Sequence, residues 1–144
     1  MANVFDVATY ILEKIGTSSA MKLQKLAYYS QAWSLVWDEE ELFEEDFEAW
    51  ANGPVVRSLY NKHRGMFKVD AADFPEGDST NLTPEQMDTV DKVLEFYGDK
   101  TAQWLSNLTH KESPWRDARG EHAPMESCDE IISKASMAEY YSAL

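Results

Sequence analysis

The chain is 144 residues long and carries 26 acidic against 13 basic residues, for a formal net charge of −13, so it fits one domain spanning residues 1–144. Such a charge repels nucleic acid and anionic lipid and attracts basic partners, which argues against binding to nucleic acid or to a membrane. Cys128 is the one cysteine, residues 1–6 lack a signal-peptide pattern, and no apolar run reaches the roughly 20 residues of a membrane span, so we expect a cytoplasmic protein with a reduced thiol.

Two helices are predicted at the start of the chain. Residues 4–15 place apolar side chains on one face at helical spacing, and Gly16 is suited to end that helix. Residues 21–37 are apolar almost all round, which is typical of a helix buried on several sides. We expect this second helix to be the central hub, so its polar side chains need water or protein partners. Those polar side chains are Lys22, Gln24, Lys25, Gln31 and Ser34.

An acidic segment and a Gly-Pro break follow the hub. Residues 38–48 hold eight acidic side chains in eleven positions, and their mutual repulsion argues against a long regular helix. Pro is favoured at the first position of a helix, so Pro54 predicts the start of a short helix. Strand signals are weak, and we expect a small ribbon at most, at residues 47–50 or 67–69.

The second half of the chain predicts further helices separated by loops. Residues 70–81 contain Pro and Gly and are expected to form a mobile loop. The segment Thr83–Gln86 is a capping box with Pro at the first helical position, and a short helix is expected at 101–108. Ser113–Pro114 repeats the cap-plus-Pro pattern, and residues 131–144 predict a final helix. The expected fold class is all-α: a single compact helical domain with a central buried helix and at most a minor β ribbon.

Candidate catalytic and metal-binding groups are sparse. None of the three histidines, His63, His110 and His122, has partners at metal-ligand spacing, so we expect neither a metal nor another cofactor. His110 lies where a helix is expected to end, which favours a capping or packing role. A hydrolase built on His110 and Glu112 is a weaker alternative, because one His beside one acid defines no reacting geometry. We therefore expect a binding protein rather than an enzyme.

Aromatic and basic side chains are better candidates for partner contacts. Trp is enriched at interface hot spots, and Trp50 and Trp115 each lie at a predicted junction between loop and helix. The other tryptophans are expected mostly in the core. Arg57 opens a basic island that continues through residues 62–68 and either offsets the acidic segment or forms a second contact surface. The acidic segment is itself a candidate for docking a basic partner or for mimicking nucleic acid.

Six segments of the chain form an ordered set of motifs. They are Lys22–Trp33, Leu42–Phe43, Phe47–Val56, Leu59–Tyr60, Tyr97–Gly98 and Leu105–Trp115. Each is weak alone, but in this order they resemble the Panacea antitoxin domain, a family that includes SocA-like antitoxins and phage-associated proteins. The resemblance runs from about residue 4 to residue 120.

This resemblance implies a largely helical domain that neutralises a cognate protein toxin encoded beside it, generally by direct protein–protein binding. Family members are paired with very different toxins, including alarmone-synthetase-like enzymes and membrane-active peptides. One branch resembles a proteolysis adaptor that delivers its toxin to an AAA+ protease, which is the alternative function here. The residues expected to contact the partner, within or beside the motifs, are Trp50, Asn52, Pro54, Arg57, Tyr60, His110 and Trp115.

Overall fold

Helices dominate the fold. The computed structural model describes residues 2–144, so Met1 of the expected domain 1–144 lies outside the described residues. The strands in that range form two small antiparallel sheets, so the prediction of a mostly helical chain is confirmed, whereas "all-α" overstated it. The helices are α1 (Val4–Ile15), α2 (Ala20–Trp37), α3 (Arg57–His63), α4 (Pro84–Tyr97), α5 (Ala102–Lys111), α6 (Ser113–Arg119) and α7 (Lys134–Ser142). The strands are β1 (Ser18–Ser19), β2 (Phe47–Trp50), β3 (Gly53–Val55), β4 (Lys68–Val69) and β5 (Ile131–Ile132).

Helix α2 is the centre of the fold, as predicted. Ser19 caps it, because its side-chain oxygen accepts a hydrogen bond from the Lys22 N–H at 3.1 Å. Most of its side chains are buried, since α1, α4, α5 and α7 all pack around it. The helix leaves the core at its C-terminal end, where Trp37 is 48% exposed.

Polar side chains of α2 bond to backbone groups of the segment that follows it. Gln31 Nε2 donates to the Phe43 carbonyl at 2.8 Å, and the Leu42 N–H donates to Gln31 Oε1 at 2.6 Å. Ser34 Oγ donates to the Glu40 carbonyl at 2.9 Å. These bonds satisfy buried polar groups and fix the acidic segment against the hub without a regular helix.

A hairpin of β2 and β3 stands where a helix was predicted to begin. The two strands pair over residues 48–55, with Trp50 opposite Gly53 and Ala49 opposite Pro54. Strand β3 lies at the edge of its sheet, where the missing N–H of Pro54 is tolerated. The helix start predicted at Pro54 was therefore wrong, and α3 begins only after the hairpin.

The remaining strands confirm the expected ribbon and shift the last helix. The two segments with weak strand signals, 47–50 and 67–69, contain β2 and β4. Strand β4 pairs with β1, placing Val69 opposite Ser18. Strand β5 pairs with β2, placing Ile132 opposite Phe47. Because residues 131–132 join this sheet, the final helix begins at Lys134 and not at residue 131 as predicted.

Residues 70–81 are fastened to α1, although their Pro and Gly predicted a mobile loop. The Asp78 N–H donates to Asp6 Oδ1 at 2.8 Å, and Asn81 Nδ2 donates to Asp6 Oδ2 at 3.3 Å. Phe74 is buried in the core. Turn-forming residues thus set the path of this segment, while tertiary contacts hold it in place.

The predicted helix start at Thr83 is confirmed, and the one at Ser113 is displaced. The Thr83 side chain accepts from the Gln86 N–H at 3.2 Å, while the Thr83 N–H donates to Gln86 Oε1 at 2.9 Å. Helix α6 includes Ser113, and Glu112 precedes it without a side-chain capping bond. Pro114 lies in the first turn, where its missing N–H has no helical partner to lose.

Candidate functional site

A groove of about 750 Å³ opens beside the turn that joins β2 and β3. We call it the hairpin groove. The fold gathers there four of the predicted contact residues: Trp50 at the end of β2, Asn52 in the turn, and Arg57 and Tyr60 on α3. The other lining residues are Met21, Ala51, Asn61, Arg64, Ser127, Cys128 and Asp129.

One wall of the hairpin groove combines aromatic rings with a guanidinium group. Arg57 donates to Glu48 through Nε at 3.1 Å and Nη2 at 2.9 Å, and its guanidinium carbon lies 5.1 Å from the Trp50 ring centre. Trp50 Nε1 also donates to Glu48 Oε1 at 2.9 Å. The Trp50 and Tyr60 rings meet edge to face at 4.8 Å. Partial burial acts to raise the pKa of Glu48, but the bonds from Arg57 and Trp50 outweigh it and hold that pKa below its usual value.

Gln24 holds α3 and β3 together beneath the groove. The Val56 N–H donates to Gln24 Oε1 at 2.9 Å, and Gln24 Nε2 donates to the Val56 carbonyl at 3.2 Å. Gln24 Nε2 also lies 3.0 Å from His63 Nε2. Burial lowers the pKa of His63, which favours the neutral ring that accepts this bond. The start of α3, and with it Arg57, is therefore positioned by a buried amide.

Lys25 supports the hairpin turn from the interior. Its side chain is buried, with 1% of the residue exposed, and Nζ donates to the Pro54 carbonyl at 3.1 Å. Burial lowers the pKa of Lys25 to about 7. A Cβ added to Gly53 would lie 2.4 Å from Lys25 Cε, and the φ of Gly53 is +115°, so glycine alone allows this approach. The Gly53–Pro54 motif is thus matched to a lysine of the hub helix.

His110 and Trp115 line a different cavity, of about 620 Å³. Their rings stack at 4.0 Å, and Trp115 Nε1 donates to the Trp50 carbonyl at 2.8 Å. Trp115 is 6% exposed, so it lacks the open position predicted for an anchor and instead fastens α6 to the hairpin. Pro54 is also buried and reaches its neighbours through its backbone. Partner contacts by these three residues stay a prediction.

His110 and Glu112, the pair considered for catalysis, have different surroundings. Glu112 Oε1 accepts hydrogen bonds from the Tyr29 hydroxyl at 2.7 Å and the Tyr141 hydroxyl at 2.6 Å. Burial raises the pKa of Glu112, although these two bonds oppose the rise. His110 stacks on Trp115, and burial lowers its pKa. The carboxyl group of Glu112 therefore links α2 to α7 and has a structural role.

Four exposed aromatic side chains were not among the predicted contact residues, and one of them is Phe67, which is 78% exposed. Trp37 is 48% exposed, Phe96 is 59% exposed and Trp104 is 41% exposed. Tryptophans were assigned mostly to the core on general grounds, which was wrong for Trp37 and Trp104. The helical register is the signal that identifies Phe96, because it adjoins the buried Tyr97 and therefore points about 100° away from it.

The groups that line the hairpin groove suit recognition of another polypeptide. They offer aromatic faces, the guanidinium groups of Arg57 and Arg64, and the side-chain amides of Asn52 and Asn61, which bind by stacking, charge and hydrogen bonds. Within residues 2–144, no group of three or more His, Cys, Asp or Glu side chains is arranged to hold a metal ion. The helices of that same range include none with the length and apolarity to cross a membrane.

Comparison with known proteins identifies one family. The family model described as "Antitoxin SocA-like, Panacea domain" matches residues 23–116. The match spans more than half of the chain and includes most of α2, the β2–β3 hairpin, and helices α3 to α5. No curated protein and no solved structure matches the chain.

Proposed function

The chain belongs to the family of SocA-like antitoxins with a Panacea domain, and we propose that it neutralises a cognate protein toxin by binding it directly through the hairpin groove. The family match carries the proposal, because it supports an antitoxin role in general. The geometry of the groove supplies the mode of contact. Neutralisation then consists of covering the active surface of the toxin and requires no reaction catalysed by this chain.

Two aromatic side chains of the groove are suited to anchor the toxin. Trp50 and Tyr60 provide large contact areas, and Trp and Tyr are typical of the residues that dominate binding energy at interfaces. Their edge-to-face contact and the bond from Trp50 to Glu48 fix both rings before binding. Such preorganisation reduces the entropy lost when the complex forms.

The lining of the groove is less acidic than the protein as a whole, because it holds two arginines and one carboxylate, Asp129. Arg57 and Arg64 line it, whereas the full chain carries a net charge of −13. A matching toxin would present an acidic or aromatic side chain to these arginines. It would carry basic groups around that side chain, which would face the acidic surface outside the groove. The acidic surroundings would then accelerate the encounter, and the arginines would set its orientation.

Variants of the groove test this proposal against the protein encoded beside the gene of this chain. Arg57→Ala removes a guanidinium group from the wall, and Asn52→Arg places a long charged side chain in the opening. We expect each to weaken the complex about tenfold or more, as for residues of an interface centre. Lys62→Ala is the matched control, because Lys62 is another exposed cation of α3 that pairs with Glu76 at 3.1 Å and does not line the groove.

Co-purification, binding affinity and growth of cells that co-express the two proteins are the measurements. A neighbouring protein that is harmless alone, or that does not bind the unmodified chain, would contradict direct neutralisation. Unchanged binding by both groove variants, with thermal unfolding like that of the parent, would contradict the groove as the contact. A toxin half-life that shortens only when this protein is present would favour the adaptor alternative over occlusion.

A further inference from the structure

A band of exposed aromatic side chains crosses α2, α4 and α5. Trp37, Phe96 and Trp104 are three of the exposed large apolar residues of the described chain, and Trp33 beside them is half-buried. We call these four residues the aromatic strip. None of them lines the hairpin groove. Contiguous exposed apolar surfaces on soluble proteins commonly mark sites of interaction.

Ring contacts and one hydrogen bond link Trp33, Trp37 and Phe96 through Tyr97, and Lys100 lies between Phe96 and Trp104. Trp33 and Trp37 stack at 5.0 Å, and Trp33 Nε1 donates to the Tyr97 hydroxyl at 3.1 Å. Tyr97 meets Phe96 edge to face at 4.7 Å and stacks on Tyr29 at 4.3 Å. Since Tyr97 and Tyr29 are buried, the exposed rings are fastened to the core and prepared for contact.

Lys100 shows that the rings of the strip accept a cation. Its Nζ lies 5.8 Å from the Phe96 ring centre and 5.1 Å from the Trp104 ring centre. The same ammonium group is 3.8 Å from Asp99 Oδ1. A lysine or arginine of a partner that displaced Lys100 would find the same combination of aromatic faces and carboxylate.

Acidic side chains flank the strip at both ends. Asp38 and Glu39 directly follow Trp37, and Glu95 and Asp99 lie at the other end, on α4 and just beyond it. Glu39, Glu95 and Asp99 are exposed. These four carboxylates outnumber the two nearby cations, Lys100 and Lys22, whose Nζ donates to the Gly98 carbonyl at 2.6 Å. The rim therefore favours a basic partner, whereas a second copy of this chain, with the same net charge of −13, would be repelled.

We propose that the aromatic strip binds a basic amphipathic helix of a polypeptide partner. Apolar side chains spaced at i, i+3, i+4 and i+7 would pack on the rings, and flanking lysines or arginines would meet the acidic rim. The proposal goes beyond the toxin contact in the hairpin groove, because it rests on other residues and each surface can be disabled separately.

A synthetic leucine–lysine peptide of about 18 residues, patterned as an amphipathic helix, is the probe. The full chain is titrated with it, the indole N–H signals are followed by NMR, and the dissociation constant is measured by calorimetry. We expect the signals of Trp37 and Trp104 to shift and those of Trp50 and Trp115 to stay. A peptide of the same composition in scrambled order is the matched control, because it keeps the charge and loses the apolar face. The scrambled peptide should bind at least about tenfold more weakly than the patterned peptide.

Substitutions in the strip complete the test. Phe96→Ser and Trp104→Ser should each weaken peptide binding about tenfold, whereas Phe67→Ser, at a residue that is 78% exposed elsewhere, should not. Asp99→Lys reverses a rim charge while keeping all rings, so it should also weaken peptide binding. This variant still tests the proposal if an aromatic variant unfolds.

Three outcomes would overturn the proposal. The first is equal binding of the patterned and scrambled peptides, and the second is unchanged binding by the strip variants and by the charge-reversed variant. The third is a dimer of the chain alone, detected by sedimentation equilibrium and abolished by Phe96→Ser, because a second copy would then be the occupant. None of these results depends on the hairpin groove or on the identity of the toxin.

Discussion

The hairpin groove and the aromatic strip are held in place by different interactions. Beneath the groove, Gln24 and Lys25 bond to the backbone of β3 and of the residue that follows it. The strip is held mainly by ring contacts, with one hydrogen bond from Trp33, and these lead into the core at Tyr97. Removing one partner of a buried hydrogen bond is costly, whereas exposed rings contribute little to folding. Changes beneath the groove should therefore lower stability and distort the site together, while changes in the strip should alter binding alone.

The largest expected loss follows from Gly53→Ala. The new Cβ would meet the buried Lys25 side chain at 2.4 Å, and the backbone has a φ of +115°. Backbone strain and overpacking together should lower the free energy of unfolding by about 4 kcal/mol, as measured by urea denaturation. Gly65→Ala is the matched control: its φ is +84° with nothing within 4 Å of the added Cβ, so it should lose only about 1–2 kcal/mol. Equal losses at the two glycines would show that Lys25 does not restrict Gly53.

Two glutamine variants test separately what each half of the hub helix supports. Gln24→Leu removes the partner of the Val56 N–H and of His63 Nε2. Gln31→Leu removes the partner of the Leu42 N–H and of the Phe43 carbonyl. Each should lower the free energy of unfolding by about 3 kcal/mol, because two buried polar groups lose their partner.

The two glutamine variants should differ in where they disturb the structure. We expect Gln24→Leu to shift the indole N–H signal of Trp50, which lines the groove, and Gln31→Leu to leave that signal unchanged. If both variants moved the Trp50 signal equally, Gln24 would not be the residue of the hub helix that positions the groove.

Lys25 should make the stability depend on pH. Its pKa is about 7 in the folded chain against 10.5 for an ordinary lysine, so between these values the unfolded chain binds a proton that the folded chain lacks. The free energy of unfolding should thus rise by about 1.4 kcal/mol per pH unit between about pH 7.5 and 9.5 through this group. Urea denaturation at several pH values measures the slope, and Lys25→Met should remove it. A slope that persists in Lys25→Met would assign the effect to other groups.

The smallest expected effect lies in the aromatic strip. Phe96 is 59% exposed and its neighbour Tyr97 is 7% exposed. Phe96→Ser should therefore lower the free energy of unfolding by less than about 1 kcal/mol, whereas Tyr97→Ser should lower it by about 3 kcal/mol because a buried ring is lost. Thermal or urea denaturation checks both. A large loss in Phe96→Ser would mean that the strip belongs to the core and is not a free surface.

Local patterns predicted the parts of the fold whose determinants are close in sequence. The all-round apolar pattern of residues 21–37 identified the buried hub, and the spacing of Thr83 and Gln86 identified a capped helix, because both features depend on neighbours within a few turns. Part of the candidate site could also be predicted from the sequence. Trp50, Asn52, Arg57 and Tyr60 are close in the chain, and they do line one groove.

Features that depend on distant segments could not be predicted in this way. Pro54 suits a helix start and an edge strand equally well, and pairing of β3 with β2 decides between them. Trp115 is buried because α6 packs against β2, where the carbonyl of Trp50 accepts its indole N–H. Likewise, nothing local shows that Lys25 ends against Gly53 and Pro54.

The sequence by itself determined that the chain is a mostly helical, acidic member of an antitoxin family built around one buried helix. Composition, periodicity and motif order carry that information without long-range contacts. Tertiary structure alone decided which aromatic side chains are exposed and which polar residues of the hub support the groove. The physical reason is that burial and hydrogen-bond partnership belong to pairs of segments far apart in the chain, so a pattern within one segment does not contain them.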